Sequence, residues 1–185
     1  MSSAYTVGGG ERLRLFCALT LPAGVRDALA AWQRHSLRCR ARVVERADLH
    51  LTLAFLGHRP EAELGPIAET LGDAARSLDE PIVLTPLRYR ETRSVAMLVL
   101  TDEHGRAGRL ALDVHERLER LGVYEREARP WLPHVTVLRF QSAPRLRPPL
   151  PIIPPFSPSE AAVYHALLAP GGARYEVLES VRLGG

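Results

Sequence analysis

Two histidines of this chain share one local pattern, in which a threonine follows each histidine two residues later. The first copy is His50-Leu51-Thr52-Leu53 and the second is His134-Val135-Thr136-Val137. Imidazole titrates near about pH 6.5, so one histidine can accept a proton while another donates one. Threonine hydroxyls can donate hydrogen bonds to phosphoryl oxygens, where negative charge must be stabilised. The pattern predicts acid–base chemistry at a phosphodiester.

This chemistry requires a base that deprotonates water and an acid that protonates the departing oxygen, and the two imidazoles supply both. A zinc centre would need further ligands at a recognisable spacing, and the sequence does not show them. It also contains no GxGxxG, no Walker loop and no HExxH motif. We therefore expect neither a metal nor a cofactor.

The two motifs have the alternation of β-strands, in which residues i and i+2 point to the same face. His50 and Thr52 are thus predicted to project together, with the aliphatic neighbours turned into a core, and the second motif is predicted to do the same. Arg139 lies five residues after His134. A regular strand would place Arg139 on the opposite face, so a surface position and a phosphate contact both stay open for it.

Three further residues are candidate substrate contacts. Trp131 precedes the second motif and could flank the cleft and stack on a nucleobase. Phe55 could stack on a base, although a place in the core is favoured. Arg93 lies in a loop that enters a strand, where a solvated side chain is favoured over a ligand contact. The remaining histidines outside the two motifs that we considered are interpreted as structural or exposed: His58, His104, His115 and His165.

The elements that must position these residues follow an α+β order. Helices are predicted at about 22–37, 60–75 and 110–121. Strands are predicted at 12–20, 42–45, 49–56, 82–88, 94–101, 134–140, 161–169 and 175–181. The segment 144–158 contains seven prolines and is predicted to be an extended connector. Pro170-Gly171-Gly172 indicates a hairpin between the last two strands.

Composition is that of an ordinary globular protein, with 46% hydrophobic and 24% charged residues. Residues 1–11 are interpreted as a flexible leader and residues 12–185 as one domain with two lobes. All 24 basic residues are arginine, and the net charge of +3 is compatible with an anionic substrate. The two cysteines form neither a disulfide framework nor a zinc signature. We expect a cytoplasmic monomer without a membrane span.

The two motifs with their flanking residues, His50 to Gly57 and Pro133 to Arg139, resemble the signatures of the two-histidine phosphoesterase superfamily. They are most similar to its bacterial LigT-like branch, the RNA 2′,3′-cyclic phosphodiesterases, also called 2′-5′ RNA ligases. The resemblance implies a bilobal α+β fold with pseudo-two-fold symmetry. Two antiparallel sheets would face each other across a central cleft, with the helices on the outside.

The resemblance also implies roles for individual residues. His50 would donate a proton to the leaving 3′-oxygen, and His134 would be the base that activates water. Thr52 and Thr136 would hold the phosphate. The implied reaction converts a terminal 2′,3′-cyclic phosphate of RNA, for example of a tRNA half, into a 2′-phosphate. Reversible 2′-5′ ligation without ATP is the implied second direction.

Two alternatives stay open from the sequence. One is a phosphodiesterase for small nucleotides, such as 2′-5′ oligoadenylate or a cyclic phosphate of ADP-ribose. The other is a module that binds RNA ends with little turnover. Binding alone would not require two titrating groups, which favours an enzyme.

Overall fold

The computed structural model describes residues 12–169 and 172–184, and within these ranges the chain has eight strands and three α-helices. The strands are β1 (Arg12–Thr20), β2 (Arg42–Val43), β3 (His50–Pro60), β4 (Val83–Glu91), β5 (Val95–Glu103), β6 (His134–Arg139), β7 (Glu160–Ala169) and β8 (Gly172–Arg182). The helices are α1 (Ala23–Ser36), α2 (Leu64–Arg76) and α3 (Arg106–Arg120). The predicted leader 1–11 and most of the predicted hairpin turn, Pro170-Gly171, lie outside the described residues.

The strands form two four-stranded antiparallel sheets, in the orders β3-β1-β7-β8 and β2-β6-β5-β4. The first histidine strand, β3, is the edge of its sheet, and the second, β6, lies between β2 and β5. Residues of β3 and β6 contact each other, so the two sheets meet along the histidine strands. The predicted α+β class with two antiparallel sheets is confirmed.

The hydrophobic core lies behind the histidine strands, on the side away from the cleft. The aliphatic residues of the two motifs are all buried, at 2% exposure or less. Helix α2 packs on β7 and β8, while α3 packs on β3 and β5. None of the helices in the described ranges is long and apolar enough to cross a membrane.

Strand β3 is longer than predicted. The prediction that it stops at Leu56 is wrong, because the strand continues through Gly57 to Pro60. Gly57 has φ +69°, a conformation that glycine adopts without strain, and the ladder with β1 shifts its register there. The glycine therefore forms a bulge rather than a turn. Helix α2 consequently begins at Leu64, after a short 3₁₀ turn at Glu61–Glu63, and not at Pro60.

The proline-rich segment is extended, as predicted, and connects the second sheet to the first. Two contacts fix its path. The indole Nε1 of Trp32 donates a hydrogen bond to the carbonyl of Pro149 at 2.7 Å. Phe156 forms an antiparallel bridge with Leu84 at the edge of β4. The segment thereby covers an edge that would otherwise expose unpaired backbone groups.

The core position of Leu98 in β5 makes a stability prediction. Leu98 is 1% exposed, whereas Leu168 in β7 is 80% exposed. We expect Leu98→Ala to lower the free energy of unfolding by about 2–5 kcal/mol, because the cavity left behind loses its packing contacts. Leu168→Ala is the matched control and should change it by less than about 0.5 kcal/mol. Urea unfolding of both variants measures the difference, and equal losses would contradict this core.

Candidate active site

Each histidine strand carries one extra residue directly after its threonine. In β3, Thr52 pairs with Ala18 of β1, but the next paired residue is Ala54, which lies opposite Cys17. Leu53 therefore has no partner in this ladder, which makes it the extra residue of a β-bulge. Leu53 is nevertheless 2% exposed, so the bulge is packed into the core.

The second histidine strand repeats the same irregularity. In β6, Thr136 pairs with Met97 of β5, while Leu138 pairs with Ala96. Val137 is left out of the ladder, three residues after His134 as Leu53 is three residues after His50. The two motifs thus share a backbone geometry that alternation alone does not predict.

The bulges change the direction of the side chains that follow. Phe55 pairs with Phe16, and Arg139 pairs with Val95. These partners lie two residues from those of Thr52 and Thr136, so Phe55 and Arg139 face the same side as the histidine and threonine of their own strand. The regular-strand prediction that Arg139 points away from His134 is wrong, because the extra residue reverses the alternation. The core interpretation of Phe55 is also wrong, since its side chain is 61% exposed.

Backbone carbonyls orient both imidazoles in the same way. Nδ1 of His50 donates a hydrogen bond to the carbonyl of Asp48 at 2.7 Å, and Nδ1 of His134 donates to the carbonyl of Leu132 at 2.8 Å. The acceptor fixes the tautomer, so Nε2 is the nitrogen left for chemistry. Nε2 of His50 lies 3.1 Å from the hydroxyl of Thr52, which donates to it in the neutral form.

An aromatic floor surrounds His50. Its ring centroid lies 4.9 Å from that of Phe16, 5.8 Å from Tyr164 and 5.1 Å from Tyr175. Burial among these rings lowers the pKa of His50 to about 4, and the charges of Arg139 and His134 lower it further, against a hydrogen bond to the Asp48 carbonyl that raises it. His50 is therefore neutral near pH 7 in the free protein.

Tyr175 of β8 connects the two motifs. Its hydroxyl accepts a hydrogen bond from the guanidinium of Arg139 at 3.1 Å, and its backbone N–H donates to Oδ1 of Asp48 at 3.2 Å. Burial raises the pKa of Asp48, partly offset by this hydrogen bond. Sequence analysis did not identify Phe16, Tyr164 or Tyr175 as site residues, because the pairing of β1, β7 and β8 is set by long-range contacts.

A cavity of about 800 Å³ opens beside the two motifs, with Thr52, Phe55, Trp131 and His134 in its wall. The indole Nε1 of Trp131 donates to the carbonyl of Thr52 at 3.0 Å, which joins the approach to the second motif with the first motif. The predicted position of Trp131 at the cleft is confirmed. Arg93 is exposed in the turn between β4 and β5 and is not among the residues that line this cavity.

The other histidines take structural or surface positions, as predicted. His115 is 7% exposed and its Nε2 donates to the carbonyl of Leu53 at 2.7 Å. His58 and His104 are exposed, and His165 is half-buried. Within residues 12–169 and 172–184, no group of three or more histidine, cysteine or acidic side chains could hold a metal ion. Cys17 and Cys39 are both free.

The comparisons with known proteins agree with this site. The family model described as LigT like Phosphoesterase matches residues 19–85, which include the first motif. The RNA 2′,3′-cyclic phosphodiesterase of Thermus thermophilus is 33% identical over 94% of this chain and 91% of that protein. The Escherichia coli protein of the same name is 29% identical over 91% of this chain and 96% of that protein.

Solved structures extend the similarity to the whole fold. Escherichia coli LigT complexed with NADP+ superposes with a TM-score of 0.78 and 28% identity, covering 95% of this chain and 100% of that chain. The complex of the same protein with 3′-AMP gives a TM-score of 0.76 at 27% identity, with the same coverage. Fold and site define a two-sheet phosphoesterase with paired histidine strands. The chain belongs to the LigT-like phosphoesterase family.

The lowered pKa of His50 predicts a pH-dependent stability. The folded protein binds fewer protons than the unfolded chain between the ordinary pKa of 6.5 and the folded value of about 4. The stabilisation from neutral His50 is therefore complete above pH 6.5 and is lost as the pH falls to 4, by about 3 kcal/mol. Denaturant unfolding at pH 7.5 and pH 4 measures this loss.

The non-titrating variant His50→Gln is the control for this measurement. All other groups titrate in both proteins, so the wild type should lose about 3 kcal/mol more than the variant over this pH range. Equal losses in the two proteins would show that His50 titrates normally in the folded state.

Proposed function

We propose that this chain hydrolyses the 2′,3′-cyclic phosphate at the 3′ end of RNA to a 2′-phosphate. The observation that carries the proposal is the pair of imidazoles, each with Nδ1 bound to its own backbone and Nε2 left for proton transfer, beside a threonine hydroxyl. Relatives named RNA 2′,3′-cyclic phosphodiesterase over most of their length support the substrate.

In this mechanism His134 is the base and His50 the acid. His134 takes a proton from water as the water oxygen forms a bond to phosphorus. The bond from phosphorus to the 3′-oxygen breaks, and His50 gives its proton to that oxygen. Thr52 and Thr136 donate hydrogen bonds to the non-bridging oxygens. Because the histidines perform both proton transfers, the reaction as proposed uses no metal.

The same geometry accommodates ligation. If the 5′-hydroxyl of a second RNA replaces water, its oxygen attacks phosphorus while the 3′-oxygen leaves with a proton from His50. The phosphate stays on the 2′-oxygen, so a 2′-5′ linkage forms. The energy of the strained cyclic ester drives the step, and ATP does not enter.

His50 must gain a proton before it can act as an acid, although its pKa is about 4 in the free site. A phosphodiester anion bound between the imidazoles offsets the positive charges of Arg139 and His134 that lower this pKa. Nearby negative charge favours the protonated form of histidine. We propose that substrate binding protonates His50, so that the acid is formed only when its leaving group is present.

The substrate contacts follow from the cavity walls. Phe55 and Trp131 offer ring faces on which a nucleobase can stack. Arg139 offers a guanidinium on the same face as His134 and Thr136. Arg93, exposed in its turn, is proposed only as a contact for more distant parts of an RNA chain.

A second cavity favours RNA over small nucleotides. It measures about 730 Å³ and adjoins Arg139, and its other polar lining comprises Arg40, Arg42, Ser94, Gln141 and Ser142. None of the described residues that line it is acidic. Three guanidiniums without a lining carboxylate suit the backbone phosphates of a strand that extends beyond the terminal nucleotide.

The acid and base assignments have a direct test. We expect His50→Ala and His134→Ala each to reduce hydrolysis of an RNA oligomer with a cyclic phosphate end by about 10²–10⁴-fold, because each removes one proton transfer. Product analysis of the wild-type reaction in the presence of a chelator should show a 2′-phosphate. A 3′-phosphate product would contradict the proposed leaving group.

An activated ester separates the two roles. Bis(p-nitrophenyl) phosphate has a leaving group that needs no acid, so His50→Ala should lose less than about tenfold with it, while His134→Ala should keep its full loss. Both variants are first shown to unfold at wild-type denaturant concentrations. The reverse pattern would assign the base to His50.

The length of the substrate is tested at the second cavity. We expect Arg40→Gln with Arg42→Gln to reduce kcat/KM for a ten-nucleotide RNA by about tenfold and to lower its salt slope by about 1. Hydrolysis of a mononucleotide 2′,3′-cyclic phosphate should change less than twofold. Arg109→Gln with Arg120→Gln removes the same charge from exposed positions on α3 and is the control. Equal effects on both substrates would instead favour the small-nucleotide phosphodiesterase.

A further inference from the structure

Two polar side chains are buried behind the histidine strands, where the proposed mechanism does not use them. Gln33 of α1 is 2% exposed and His115 of α3 is 7% exposed. A buried polar group is normally retained for a specific hydrogen bond, so its partner indicates what it does. The partners of these two side chains lie at corresponding positions of the two motifs.

His115 binds the bulge of the first histidine strand. Its Nε2 donates to the carbonyl of Leu53 at 2.7 Å, and Leu53 is the residue that has no partner in the ladder between β1 and β3. The ring of His115 is held against Tyr124, with centroids 4.8 Å apart. The donor therefore reaches the bulge carbonyl from a fixed position on the helix.

Gln33 binds the bulge of the second histidine strand. Its Nε2 donates to the carbonyl of Val137 at 3.0 Å and to the carbonyl of Val44 at 3.0 Å. Val137 is the residue left out of the ladder between β5 and β6. The same carbonyl also accepts a hydrogen bond from the backbone N–H of Val44, at 3.0 Å.

We propose that His115 and Gln33 are positioning residues that hold the two bulges, and thereby keep Phe55 and Arg139 in the cleft. The bulge reverses the alternation between threonine and the residue five places after each histidine. A strand that returned to regular pairing would turn that residue to the other face. A buried carbonyl outside the ladder needs a donor, and each helix supplies one. The functional part of this inference rests on the proposed function.

The two clamps are independent, which makes the proposal specific. His115 acts on the strand that carries Phe55, and Gln33 acts on the strand that carries Arg139. Loss of one donor should therefore disturb one substrate contact and not the other. A general loss of stability would disturb both alike.

The first experiment tests the geometry without any activity. We expect a crystal structure of His115→Leu to show Leu53 shifted in register and Phe55 moved from the cleft, with Arg139 unchanged. His115→Gln keeps a side-chain N–H donor and should restore the wild-type strand. Because His115 also lines the cavity beside Thr52, this variant separates the donor from the ring. An unchanged bulge in His115→Leu would overturn the proposal.

The second experiment tests the effect on the site by double-mutant cycles. We expect His115→Leu to reduce kcat/KM for the RNA oligomer by about tenfold in the wild type, but by less than twofold when Phe55→Ala is already present. In the Arg139→Ala background the tenfold loss should remain. Gln33→Met should show the reverse dependence, with its loss abolished only by Arg139→Ala.

Leu110→Ala, a buried substitution on the same helix as His115, is the control for lost stability. It should lower the denaturation midpoint without coupling to either Phe55 or Arg139. Equal losses from His115→Leu in all backgrounds would reduce His115 to a structural residue. If the wild type does not hydrolyse the RNA, the proposed function fails, while the crystal structures still decide whether the clamps exist.

Discussion

The extra residue in each histidine strand is the constraint on which the site depends. A regular strand would show the cleft a histidine and a threonine and then turn the residue five places after the histidine towards the helices. With Leu53 and Val137 outside the ladders, three side chains of each strand share the cleft face. The cost is a backbone carbonyl without its normal partner, and buried helix residues meet that requirement on both sides.

The same backbone device serves two different contacts. On one strand it presents the exposed ring of Phe55, and on the other it presents the guanidinium of Arg139. A terminal nucleotide offers both an aromatic base and a charged phosphate, so two related half-sites with different last residues suit one ligand better than two identical ones. The pseudo-symmetry of the fold thus supplies the backbone geometry, while the residue at this position supplies the asymmetry.

Desolvation and charge oppose each other at His50. The rings of Phe16, Tyr164 and Tyr175 exclude water and favour neutral imidazole, as do the nearby positive groups. A bound anion reverses the electrostatic part of this balance and leaves the apolar surroundings in place. Proton transfer inside such a site is coupled to occupancy, because the charge of the substrate is what makes the protonated form affordable in free energy.

The sequence by itself determined much of this protein. The two His-x-Thr motifs, their strand alternation and the periodicity of three helices were sufficient for the α+β class and the family. They also placed the histidines and threonines on one face, because strand alternation is a local property of the backbone. The tertiary structure decided the rest. Bulges depend on pairing with strands distant in the sequence, so neither the direction of Arg139 nor the exposure of Phe55 could follow from local pattern. The aromatic floor beneath His50 and the two buried donors come from elements that only long-range packing brings together.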